Sequence, residues 1–339
     1  MTSFRPYLAT AMSGRALTGD EMRAAMTELL SGNISDIEIA AFLAALRARG
    51  ETVEEIAAAT IAMRDKATPV DIDLDVVDTC GTGGDGADTF NISTAAAIIA
   101  AGAGASIAKH GNKAASSKSG SSEVLEALGV NLMIAPAQIT KCICEAGIGF
   151  MFAATHHGAV KHVATARKTI GIRTMFNLLG PLSNPAGAKR QVMGVFDKEL
   201  LEPIANVMLH LNIEHALVVH GGDGLDELTT TDITHVAELK NGAVRNYTVT
   251  PEQAGLPRAN AVDLKGGTPA QNAAAITALL AGECGAFRDI AVFNAAAALV
   301  VADMASDLKS GVQFAQAAID NGRAAHALAA LVRISNEAT

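Results

Sequence analysis

The 339-residue chain has no tryptophan, and its two tyrosines and ten phenylalanines make up only 4% of it. Proteins that hold single-stranded nucleic acid stack bases on aromatic platforms, and few are available here. Basic charge is also short: 26 Lys and Arg against 35 Asp and Glu leave a net charge of −9. Such a chain is poorly suited to an extended phosphate backbone, so no nucleic-acid partner is expected. A small polyanion is still compatible with it, because a local lysine cluster or a bound cation reverses the field around one site.

Cysteine is sparse as well. Cys80, Cys142, Cys144 and Cys284 show neither the pairing of a disulfide framework nor the spacing of a zinc knuckle, which fits a reducing, cytoplasmic setting. Cys142 and Cys144 stand two apart in an apolar stretch and read as small core residues. The opening MTSFRPYLATAMSGRALTGDE lacks a basic region followed by an apolar run, so no secretory signal is expected. Residues 90–108 are uncharged over a membrane-spanning length. They include Asn91, Ser93, Thr94, Gly102, Gly104 and Ser106, so the stretch reads as a helix and then a buried strand, and no membrane partner is expected.

The first seventy residues are helical in pattern. Thr18 with Glu21, Ser35 with Glu38, and Thr52 with Glu55 each form a capping box, a hydroxyl with a carboxylate three residues on. Three short helices are predicted before about residue 68. Beyond Pro69 the texture changes. Strands are predicted at 75–80, about 105–108, 191–196 and 215–220, with a helix over 94–101 and helix starts at Thr250-Pro251 and Thr268-Pro269. Strands alternating with helices imply a mainly parallel α/β sheet.

Three polar segments follow predicted strands, where ligands of open α/β sheets gather. The first is Gly81-Thr82-Gly83-Gly84-Asp85-Gly86, continued by Thr89, Asn91, Ser93 and Thr94. Its glycines let backbone N–H groups approach an anion, and a helix N-terminus behind them favours phosphate. It has neither the nucleotide P-loop ending nor a clean dinucleotide spacing. The second runs from Lys109 to Ser122 and holds three lysines and five serines, point charges and hydroxyl donors for a polyphosphate. The third is Asp226-Glu227 on a glycine-rich loop. Adjacent carboxylates repel unless a cation lies between them, and hard oxygen ligands suit magnesium. A fourth group, His156, His157, Lys161, His162, Arg167 and Lys168, lacks the spacing of a metal-binding helix face. Arg167 offers a fork for a carboxylate.

In this order, GTGGD, NIST, KHGNKAASSKSGSSEVLEALGV, RTMFNLLGPLSNPA and DGLDE closely resemble the anthranilate phosphoribosyltransferase family. The resemblance covers most of the chain. It implies a small helical domain hinged to a large α/β domain with a mainly parallel central sheet, of the nucleoside phosphorylase/phosphoribosyltransferase type. The division expected is 1–70, with a helical insert near 175–190 as a candidate completion, and 71–339. It implies transfer of the phosphoribosyl group of phosphoribosyl pyrophosphate to the amine of anthranilate, in tryptophan biosynthesis, by a magnesium-dependent homodimer.

Residue by residue, the resemblance assigns phosphoribosyl pyrophosphate to Gly81, Gly84, Asp85, Thr89, Asn91, Ile92, Ser93, Thr94, Lys109, His110, Gly111, Asn112, Lys113, Ala114, Ala115, Ser116, Ser117 and Ser121. It assigns anthranilate to Gly81, Asn112 and Arg167, and magnesium to Ser93, Asp226 and Glu227. No residue is assigned as a general base. The segment FAATHHGAVKHVATAR departs from the family pattern, with Ala154, Gly158 and Thr165 where prolines are usual. That segment lines the acceptor channel in the family. Pyrimidine nucleoside phosphorylases share the architecture but have a different phosphate loop, around Lys-His-Ser-Thr-Gly-Gly. A non-catalytic nucleic-acid-binding relative would need a basic groove.

Overall fold

The computed structural model describes residues 4–113 and 118–338. Its centre is a seven-stranded sheet of β1 (Val77–Asp78), β2 (Ile107–Gly111), β3 (Ile148–Phe152), β4 (Arg190–Gly194), β5 (His215–Gly221), β6 (Thr234–Lys240) and β7 (Ala243–Val249). The order is β3-β2-β1-β4-β5-β6-β7. The first five strands are parallel, with Val77 paired to both Ile107 and Arg190. Strands β6 and β7 add antiparallel ribs at one edge. The chain winds from β1 out to β3 and then returns to β4 on the other side. The carboxyl ends of β1 and β4 therefore form the topological switch point, where the crevice of an open α/β sheet lies.

Side chains alternate across β5. Leu217 and Val219 enter the core beneath the C-terminal helices, while Ala216 and Val218 enter the core that continues into the N-terminal helices. The chain compensates for its few aromatics with close-packed small residues. Helix Ala286–Val301 lies against helix Ile92–Gly102 through rows of fully buried alanines. A Cβ on Gly102 would meet the backbone of Ala324 about 2.5 Å away. That spacing keeps interior density high without large side chains.

All three capping boxes are present in the structure, starting helices Gly19–Leu29, Asp36–Arg49 and Val53–Arg64. A fourth helix, Arg5–Met12, precedes them. It has no side-chain cap but carries Pro6 in its first turn, a start signal that the capping pattern alone does not reveal. Helices Lys161–Ile170 and Phe176–Leu182 pack on Asp36–Arg49 and Val53–Arg64 respectively.

Four of the five parallel strands lie near their predicted places, though their limits differ, and β3 has no predicted counterpart. Of 75–80 only Val77–Asp78 pairs, β2 runs on to Gly111, and β4 ends at Gly194. At Thr250-Pro251 the reciprocal threonine–glutamine bonds form, but only a 3-10 turn, Glu252–Ala254, follows. At Thr268-Pro269 the helix Pro269–Leu280 does form. Cys142 is buried, as a core residue should be, whereas Cys144 is exposed.

Candidate active site

The loop after β1 runs straight into the switch-point crevice. Thr82 N–H donates to Gly194 O at the end of β4 at 2.9 Å. Gly83 and Gly84 have φ of +63° and +81°, left-handed values that glycine adopts without steric cost. A Cβ at Gly81 would sit 3.0 Å from Asp226 Oδ2 and 3.2 Å from Gly194 O. A side chain here would crowd the acidic segment, so glycine lets the loop lie close against it.

The loop leads into the helix Ile92–Gly102. Asn91 occupies the capping position, but its side chain does not cap. It donates to Ser119 O at 3.1 Å and accepts from Ser119 Oγ at 3.1 Å and Asn272 Nδ2 at 2.8 Å. The helix terminus is served instead by Glu227, whose Oε1 accepts from Ser93 N–H at 3.2 Å, a favourable place for a carboxylate. Thr89 bridges to Lys265, which braces the outer side of the loop. Ile92 is buried in a small apolar cluster with Leu225, Leu264 and Ile290, which anchors the helix start beside the cleft. Thr94 is 1% exposed, and its Oγ1 has no hydrogen-bond partner among the described residues. A buried, unpartnered hydroxyl at a helix N-terminus fits an anionic ligand oxygen.

Lys109, near the end of β2, is 2% exposed. Its ammonium donates to Thr79 O at 2.9 Å and Thr79 Oγ1 at 3.1 Å, leaving one of three donors. Next to it, His110 N–H donates to Asp78 Oδ1 at 3.0 Å, and Asn184 donates to Asp78 Oδ2 at 2.7 Å. Burial pushes the Asp78 carboxyl up to about 6, against the pull of Asn184. The His110 ring turns toward His157, with centroids 5.1 Å apart. Burial, then His157, drives His110 down to about 3. Gly111 is buried at the end of β2, while Asn112 and Lys113 are exposed at the cleft. Ser121 begins the next helix. Ala114, Ala115, Ser116 and Ser117 lie outside the described residues.

Asp226 and Glu227 follow β5 and face the glycine loop. Asp226 Oδ2 accepts from Gly83 N–H at 2.7 Å. Burial, and then the charge of Asp85, raise the Asp226 carboxyl to about 7. Burial and the neighbouring Asp226 hold Glu227 well above the usual carboxylate range. The half-buried Asp85 beside the two buried carboxylates concentrates negative charge on this wall, relieved only in part by Lys109.

These groups share one cleft of about 900 Å³ that also takes in Arg167. Arg167 projects from Lys161–Ile170 over the Phe176 ring at 5.2 Å. It makes no ion pair among the described residues, and burial lowers its pKa. His156 is tied to Thr68 O at 2.8 Å. The cleft wall near Arg167 includes Ala154 and Gly158, whereas Thr165 is not part of it. Sequence reasoning missed Asn177, Arg173 and Phe196, which also line the cleft, as well as the support that Asn272 gives Asn91. Arg173 lies within the recognised RTMFNLLGPL run, which was the available signal.

Residues 5–67 match the glycosyl transferase family helical bundle domain, and residues 73–325 match the glycosyl transferase family a/b domain. An anthranilate phosphoribosyltransferase of Beijerinckia indica is 52% identical over 99% of this chain and 98% of its own length. The crystal structure of the Thermus thermophilus anthranilate phosphoribosyltransferase is 42% identical with a TM-score of 0.93, covering 98% of this chain and 99% of that one. The Saccharomyces cerevisiae enzyme, solved with phosphoribosyl pyrophosphate and magnesium, is 27% identical with a TM-score of 0.90, covering 98% and 97%. With a two-part match along its length and full-length relatives above half identity, the chain belongs to the anthranilate phosphoribosyltransferase family.

Proposed function

We infer that this chain transfers the phosphoribosyl group of phosphoribosyl pyrophosphate to the amine of anthranilate, releasing pyrophosphate, as a step of tryptophan biosynthesis. The observation that carries the reading is the meeting, in one cleft, of a glycine nest, a pair of buried carboxylates and an arginine with no ion-pair partner among the described residues.

The donor lies along Gly81, Gly84, Asp85, Thr89, Asn91, Ile92, Ser93, Thr94, Lys109, His110, Gly111, Asn112, Lys113 and Ser121. In this reading it also reaches Ala114, Ala115, Ser116 and Ser117. Anthranilate sits against Gly81, Asn112 and Arg167, its carboxylate on the Arg167 fork. Asp226, Glu227 and Ser93 hold magnesium. The donor set fits: hard oxygens on crowded carboxylates call for a divalent cation. When bound, the cation neutralises charge on the diphosphate.

As the ribose C1–oxygen bond breaks, positive charge grows on the ribose and negative charge on the departing diphosphate. The loop N–H groups and the helix terminus meet that negative charge already oriented. Anthranilate's amine is a weak nucleophile, so its placement by Arg167 contributes more than a base would. No side chain in the cleft is assigned that role.

The two units are read as 1–70 and 71–339, supported by the separate domain matches at 5–67 and 73–325. We also read the enzyme as a cytoplasmic homodimer associating through its helical part, where Met12 and Ile37 are 70% and 82% exposed. Among the described residues no helix is long and apolar enough to cross a membrane. The deciding assay follows anthranilate fluorescence. It should fall on addition of phosphoribosyl pyrophosphate with magnesium and stay constant without either.

A further inference from the structure

Arg173 stands at the mouth of the cleft, six residues beyond Arg167 and between helices Lys161–Ile170 and Phe176–Leu182. Its Nη2 donates to Gly84 O, and its guanidinium carbon lies over the Phe196 ring, 3.9 Å from the centroid. A side chain at Gly84 would press on it, since a Cβ there would lie 3.2 Å from Nη2. Phe196 is itself tied to the same loop, donating its N–H to Thr82 Oγ1 at 3.1 Å. One face of the loop is therefore fixed by Asp226 at Gly83 N–H, and the other by Arg173 at Gly84 O.

We propose that Arg173 is a positioning residue for the sugar-diphosphate donor: by holding the Gly84 carbonyl it sets the peptide that presents the Asp85 N–H to the diphosphate. In a trans peptide the carbonyl and the following N–H point opposite ways. Pulling the Gly84 carbonyl toward Arg173 thus turns the Asp85 N–H away from Arg173. Gly84, at φ of +81°, leaves that peptide free to turn on its glycine side unless something holds it. The contact with Phe196 holds the planar guanidinium in place, which an ammonium does not reproduce as well. The same residue links the acceptor-side helix that bears Arg167 to the donor loop. The proposal rests on the reading of residues 81–86 as the diphosphate nest.

The test measures Mg–phosphoribosyl pyrophosphate binding by calorimetry without anthranilate, alongside steady-state kinetics, on wild type, Arg173→Gln, Arg173→Lys and Phe196→Leu. Arg173→Gln should weaken donor binding and raise the KM for phosphoribosyl pyrophosphate about tenfold or more, the scale of one charge-assisted hydrogen bond. The KM for anthranilate should move less than about twofold, and the melting temperature should hold. Arg173→Lys should resemble Arg173→Gln, and Phe196→Leu should fall between them and wild type. Unchanged donor binding in Arg173→Gln overturns the proposal. So does a loss confined to melting temperature, or an equal rise in both KM values. Absence of donor binding to wild type would instead remove the nest reading on which the proposal stands.

Discussion

The Oδ2 of Asp226 accepts a 2.7 Å hydrogen bond from the backbone N–H of Gly83, 143 residues earlier in the chain. This bond joins the anion-binding loop after β1 to the acidic loop after β5 across the switch point. The two loops therefore act as one wall, and substitutions in either should be felt in both.

Replacing Asp226 and Glu227 together with alanine should reduce kcat/KM by about a hundredfold to a thousandfold, the scale for losing a metal or an oxyanion donor. Removing two mutually repelling, enclosed carboxylates relieves like-charge strain, so the fold should persist. A magnesium titration of turnover, with circular dichroism as control, checks both points. An unchanged magnesium dependence would refute the metal assignment.

Arg167→Ala should raise the KM for anthranilate about tenfold to a hundredfold, the value of a charge-assisted pair at roughly 1.5–3 kcal/mol. The KM for phosphoribosyl pyrophosphate should change little. Because the Arg167 guanidinium sits over the Phe176 ring, Arg167→Lys should recover only part of the loss. Initial rates with each substrate varied in turn separate the two effects.

Gly194→Ala tests the contact between the loops in a different way. A Cβ there would collide with the backbone carbonyl of Asp226, which belongs to the chain and cannot rotate aside. Overpacking of this kind costs about 1–3 kcal/mol, and it should displace Asp226 as well. Urea unfolding and magnesium-dependent activity should therefore both suffer. A fully active, fully stable variant would mean that the two loops are not held this closely.

At the far end of the sheet, Glu238 is held down to about 2, first by its hydrogen bond from His215 and then by Arg245. The bonds are 3.1 Å to His215 Nε2 and 2.8 Å to Arg245 Nε. An unfolded glutamate titrates near 4.3, so the folded state binds this proton less readily. Its contribution to stability is complete above about pH 4.5 and is lost as the pH falls toward 2. After discounting for solvent screening, roughly 1–2 kcal/mol is involved. Glu238→Gln should lower the melting temperature at pH 7 and flatten the acid limb of a stability profile. An acid limb identical to wild type would argue against the ion pair.

Much of the helical unit was legible because capping is local: a hydroxyl and a carboxylate three residues apart specify a helix start without any tertiary contact. Four of the parallel strands were legible as apolar runs near glycine turns, but their ends were not, and β3 was hidden directly behind the helix Pro136–Ala146. The sheet order sets how far pairing extends, and Cys80, two residues beyond β1, pairs with no strand. The β6–β7 hairpin went unread although its turn was in view. Asn241 and Gly242, with φ of +52° and +74°, are the pair that a tight hairpin favours. At the site, residue types were readable and partners were not. Nothing near Asn91 in the sequence shows that its amide supports Ser119 and Asn272 rather than capping its own helix, or that Glu227 takes over that cap.

The Asn272-to-Asn91 bond, which spans 181 positions, has a consequence for the birth of the protein. A chain emerging from the ribosome has its glycine loop early, yet the residue that steadies Asn91 arrives only after four-fifths of synthesis. Contacts so distant in sequence close late and slowly. Until then Asn91 lacks one of its three amide bonds, so a chain ending before Asn272 would carry the whole glycine loop with the helix start behind it less firmly set.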